Sequence, residues 1–171
     1  PTSTAGATTT PAQTPTATLD ATTTPVASTT PVPTATPGAG ACGAVIPIPS
    51  AGGIFTGSTT GASSLAATCA STNTAPERVY SWTPATSGNA VIETCGAATS
   101  FDTVVSVRQT SCTSGQERGC NDDTQGCNTG EPSTYHGSRV RVRVNANQTY
   151  FIVVDGYGGA SGAYQLRVTP P

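Results

Sequence analysis

Asp102 and the run Asn121-Asp122-Asp123 supply oxygen donors of the kind that hard cations prefer. If the loop carrying the run folds over the strand carrying Asp102, these side chains converge, and calcium is the ion they suit. The alternative is that the same residues close turns through side-chain bonds to backbone, with no ion. No other cofactor is expected. Asp122 and Asp123 are adjacent, so they point apart on an extended chain, which is poor geometry for glycoside hydrolysis. The single histidine, His136, lies in a loop, Ser-Thr-Tyr-His-Gly, and no G-x-S-x-G elbow is present for a nucleophile. The chain is therefore read as non-catalytic.

Arg139, Arg141 and Arg143 recur at every second position and share one face of a strand. Such a row can grip a sulfated or acidic glycan, or simply keep an open sheet soluble. Tyr157, in Asp-Gly-Tyr-Gly-Gly, offers a ring that stacks on sugar or caps the core. Asn147-Gln148-Thr149 is a sequon for an N-linked glycan. All seven basic residues are Arg and the net charge is −2, which argues against nucleic acid as a partner.

Six cysteines without a C-x-x-C pair fit three disulfides better than zinc. Disulfides imply an oxidising compartment, hence an extracellular, secreted or cell-surface protein. Short loops favour the pairs Cys42–Cys69, Cys95–Cys127 and Cys112–Cys120. No apolar run approaches the roughly 20 residues that cross a bilayer, so membrane insertion is not expected. The chain starts with Pro rather than Met, as after removal of a leader or as a piece of something longer.

Behind these residues stand two segments that meet at Cys42. Residues 1–41 are almost all Thr, Pro and Ala, with one charge, Asp20. They have too little apolar surface to offset their ordering entropy, and proline keeps them extended. Forty such residues span about 120 Å at roughly 3.1 Å each. The segment reads as a non-globular stalk carrying O-linked sugars on Thr8, Thr9, Thr10, Thr14, Thr16, Thr22, Thr23, Thr24, Thr29, Thr30, Thr34 and Thr36.

Residues 42–171 have the length of one domain, and their apolar period is two. Strands are expected at 78–82, 90–95, 101–108, 139–144, 149–155 and 163–168, with weaker ones at 44–48 and 53–58. Turns fall at 84–89, 128–133, 145–148 and 156–162, where Gly, Asn and Pro gather. About eight short strands without a helix predict an all-β, antiparallel sandwich of jelly-roll type.

Several motifs, in order, resemble the bacterial pre-peptidase C-terminal domain family. They are Val79-Tyr-Ser-Trp-Thr-Pro84, Ser100-Phe-Asp-Thr-Val-Val-Ser-Val107, Cys120-Asn-Asp-Asp123, Ser138-Arg-Val140, Asn147-Gln-Thr-Tyr-Phe-Ile-Val-Val-Asp-Gly-Tyr157 and Gly162-Ala-Tyr-Gln-Leu166. The resemblance spans roughly residues 75–169 and implies a small secreted β-sandwich. In that family such modules follow a secreted enzyme, and some bind calcium or polymeric substrates. The chain departs from this pattern in that a Thr-Pro stalk takes the place of a peptidase.

Three functions remain: a structural subunit, a module that binds carbohydrate or matrix, and an inert or chaperoning appendage. The first is preferred. The stalk cannot order itself, so contacts with other copies of the chain are expected to order it. Open head-to-tail contacts of this kind would build a fibre or surface coat. The alternative is the carbohydrate- or matrix-binding accessory module.

Overall fold

The computed structural model describes residues 1–3, 41–132 and 135–171. The chain separates into two units, Pro1–Val32 and Pro33–Pro171, and the account that follows concerns the second. The threonines expected to carry O-linked sugars, Thr8 to Thr36, and the expected stalk contacts lie outside the described residues.

Among the described residues nine strands follow one another: β1 (Ile46–Ile48), β2 (Gly53–Ser58), β3 (Arg78–Trp82), β4 (Gly88–Glu93), β5 (Thr103–Gln109), β6 (Gln116–Asn121), β7 (Arg139–Val144), β8 (Tyr150–Gly156) and β9 (Ala163–Thr169). They form two sheets, in the orders β1-β3-β8-β5-β6 and β2-β9-β4-β7. Without the short β1, these are the strand orders of a jelly roll, where most connections cross from one sheet to the other. β1 departs from the antiparallel rule: it pairs in parallel with β3, Ile46 opposite Tyr80.

The period-two pattern decides which face is buried. Tyr80, Trp82, Ile92, Val105, Val107, Val140, Val142, Val144, Ile152, Val154, Tyr164, Leu166 and Val168 meet between the sheets. Each fully buried side chain of this size contributes about 1.5–3 kcal/mol. Two of the buried phenols meet across the sandwich, Tyr80 Oη to Tyr164 Oη at 2.8 Å. Trp82 Nε1 donates to the Ser50 carbonyl at 3.2 Å. The burial of β8 on both faces has a second cause. Val153 and Phe151 face away from that core and pack with Leu65, Val79 and Cys112 beneath the segment that leads from β2 to β3.

That covering segment corrects the expected disulfide map. The bonds are Cys42–Cys112, Cys69–Cys120 and Cys95–Cys127, so only the last was anticipated. Pairing by short loops failed because the first two bonds tie the start of the domain and the covering segment onto β5–β6, across 70 and 51 residues. Arg108 on β5 completes the clamp: its guanidinium donates to the carbonyls of Cys112, at 2.8 Å, and of Ala66.

β6 is not among the strands that alternation predicts. Its sequence, Gln-Glu-Arg-Gly-Cys-Asn, carries no large apolar residue, so only pairing with β5 reveals it. Gly119 is required there, because a Cβ would lie 2.7 Å from Val140 Cγ1 of the opposite sheet.

Candidate binding surfaces

A buried hydroxyl knot builds the acidic end of the sandwich. Thr94, Thr99, Thr103 and Ser138 are all fully buried. Thr94 and Thr103 hydroxyls meet at 2.6 Å, and Ser138 N–H donates to Thr94 Oγ1 at 3.0 Å. The Ser138 hydroxyl lies 2.5 Å from the Thr103 carbonyl and 2.7 Å from that of Asp122. Thr103 N–H donates to the His136 carbonyl at 3.0 Å, and Gly137 N–H to that of Cys127 at 2.9 Å. With Cys95–Cys127, these bonds bring the 121–127 loop and His136 against Asp102.

Asp102, Asp123 and His136 each place one ligand atom within 4.8 Å of the others. His136 Nδ1 donates to Glu131 Oε2 at 2.8 Å and lies 3.6 Å from Asp102 Oδ2. Asp102 Oδ1 and Asp122 Oδ1 are buried without a hydrogen-bond partner among the described residues. Burial, with repulsion from Asp122, Asp123 and Glu131, pushes the Asp102 carboxyl up to about 6, against the pull of His136. Burial first, then Asp123, also raises Asp122, while the bond to Glu131 raises His136.

Of the expected set Asp102, Asn121, Asp122 and Asp123, the structure brings Asp102 and Asp123 together with His136. Asn121 is spent on structure: its Oδ1 accepts from Thr124 Oγ1 at 2.6 Å and from Arg139 N–H at 2.8 Å. Its amide donates to the Asp123 carbonyl at 3.1 Å. Asp122 serves as a neighbouring charge, with its carbonyl held by Ser138. His136 was missed because nothing near it in sequence shows that the Cys95–Cys127 bond folds its loop back to β5.

The arginine row occupies the outer face of the four-stranded sheet. β7 is an edge of that sheet, and its valines point inward while Arg141 and Arg143 are exposed. Cross-strand register adds a fourth cation. Glu93 on β4 stands opposite both Arg139 and Arg167, so all of these side chains share the face. Arg139 Nε donates to Glu93 Oε2 at 2.6 Å, and Arg167 Nε lies 3.7 Å from Oε1. Arg141 and Arg143 face Val91 and Asn89 and have no carboxylate partner among the described residues. Tyr157 is 42% exposed, and its N–H holds the Asp102 carbonyl at 3.1 Å, which places it at the acidic end rather than on the arginine face. Asn147 is exposed in the β7–β8 turn at φ 62°, so the sequon is accessible.

No family model and no curated protein matches this sequence. Among solved structures, the chain is similar to the pre-peptidase C-terminal domain of collagenase from Bacillus anthracis. Identity is 14% and the TM-score 0.44, with 72% of this chain and 91% of that chain covered.

Proposed function

We propose that residues 42–171 form a non-catalytic binding module of a secreted protein that holds an anionic polysaccharide on the arginine face. The supporting observation is charge segregation. Of the seven basic residues, Arg139, Arg141, Arg143 and Arg167 share one open sheet face with a single carboxylate, Glu93. Arg141 and Arg143 stand about 7 Å apart along the strand. Guanidinium groups recognise sulfate and carboxylate by paired hydrogen bonds. The three disulfides fit a protein that works outside the cell. Electrophoresis of the full chain through gels cast with heparin, polygalacturonate or neutral dextran tests this. Retardation by the two anionic polymers, lost by about 0.5 M salt, is expected. Equal mobility in all three gels refutes it.

The acidic end fits a divalent cation, which would satisfy the orphaned Asp102 oxygen and offset the repulsion among the carboxylates. The nitrogen of His136 beside two carboxylates suits zinc or manganese better than the calcium that an all-oxygen set would favour.

A further inference from the structure

We propose that the edge of β2, open among the described residues, accepts, as an added strand, residues 16–24 of a second copy of this chain. The edge belongs to the sheet that carries the arginine face, and Arg167 of that face lies next to it. The two sheets end in the strands β1, β6, β2 and β7. Three carry devices that discourage strand addition. β1 has three residues, with Pro47 at its centre. β6 has Glu117 and Arg118 and a register shift against β5. β7 has Arg139, Arg141 and Arg143. β2, Gly-Ile-Phe-Thr-Gly-Ser, has neither charge nor proline.

Its backbone is set for an incoming strand. Thr59 N–H donates to Gly162, and β2 pairs antiparallel with β9, Ser58 opposite Ala163. Alternation then turns residues 53, 55 and 57 toward β9 and residues 54, 56 and 58 toward the open edge. Arg78 Nε occupies the Ser58 carbonyl at 3.0 Å, which leaves, among the described residues, the N–H and C=O groups of Ile54 and Thr56 for an added strand. Ile54 is 57% exposed and Phe55 half-buried, so an added strand would cover apolar surface.

The occupant follows from the upstream sequence. Proline interrupts residues 1–41 at 11, 15, 25, 31, 33 and 37, leaving 2–10 and 16–24 as the runs at least as long as the six residues of β2. Only the second has a large apolar residue, Leu19, and it also has the segment's one charge, Asp20. An antiparallel register with Leu19 opposite Phe55 sets Asp20 opposite Ile54. Asp20 then lies in the row that continues to Arg167, a complementary charge. The 17 residues 25–41, rich in proline, would span about 50 Å if extended, enough to reach a neighbouring head. Each copy offers one strand and one edge, so one-way donation leaves a strand at one end and an edge at the other for further copies.

Sedimentation velocity of the full chain over a concentration series tests this, with melting curves to confirm that each variant is folded. Wild type is expected to grow past dimer as concentration rises. Ile54→Lys, which guards the edge, and Leu19→Asp, which spoils the strand, should each remain monomeric. Mixed in equal amounts they should form a dimer and stop, because one supplies the working strand and the other the working edge. Thr56→Pro blocks the outward N–H while sparing the bonds to β9, and should also give monomers. Wild type that stays monomeric, variants that assemble like wild type, or a mixture that yields no dimer overturns the proposal.

Discussion

Replacing Asp155 by Asn should make the domain more stable at neutral pH and leave it unchanged in acid. Asp155 lies on β8 beneath the covering segment, 1% exposed, with the Gly156 N–H at 2.7 Å as its donor. Burial is the main force on it, repulsion from Glu77 adds, and the Gly156 bond and Arg108 oppose. Together they push its carboxyl up from 3.8 to about 6. The fold therefore holds this proton more tightly than the unfolded chain does. The group costs nothing below the unfolded value of 3.8, and its penalty grows as pH rises, reaching full size above about 6. That interval corresponds to about 3 kcal/mol, or roughly 10 °C in melting temperature for a domain of this size. Asn keeps an acceptor for Gly156 and removes the charge. Melting curves of both proteins from pH 4 to 7.5 should coincide at the acid end and separate by about that amount at pH 7.5. Asp102 and Asp122 titrate alike in both proteins, so the difference isolates Asp155. A gap that does not change with pH, or a variant less stable at pH 7.5, would refute the reasoning, the latter by showing that Arg108 needs the carboxylate.

Zinc should raise the melting temperature of the wild-type chain, calcium should raise it less, and neither should act on Asp102→Asn or His136→Gln. An unchanged curve with either ion leaves the acidic end as turn structure alone. Losing Cys69–Cys120 by paired Ser substitutions should cost about 2–4 kcal/mol and open residues 59–77 to protease, while Cys95–Cys127 survives in a non-reducing peptide map. Gly119→Val should destabilise by about 1–3 kcal/mol through overpacking on Val140, read from denaturant midpoints.

The parts of the fold that rest on alternation were legible in the chain. Arg139 to Val144 must put its valines on one side, and the closing strand must bury Tyr164, Leu166 and Val168, whatever lies opposite. What alternation does not report is the partner of an element. β6 lacks the pattern because Gly119 sits where two sheets approach too closely for a side chain. Cys42 and Cys69 were paired with each other because nothing local shows that residues 59–77 lie across β5–β6. The acidic end was legible in part. Asp102 and Asp123 do converge, but Asn121 is consumed by Thr124 and Arg139, and His136 enters by a loop that only Cys95–Cys127 closes. Arg167 joined the arginine row because of strand register, which places it beside Glu93 although it is 28 residues from Arg139 in sequence.

The charge-reversed pair Arg141→Glu and Arg143→Glu tests the binding proposal most directly, because both side chains are exposed and neither has a carboxylate partner to lose. Titration of the full chain with heparin in low salt should give a Kd that the double variant weakens by tenfold or more, about 1.4 kcal/mol, with the melting temperature unchanged. A variant that melts like wild type and binds heparin with the same Kd would contradict the account.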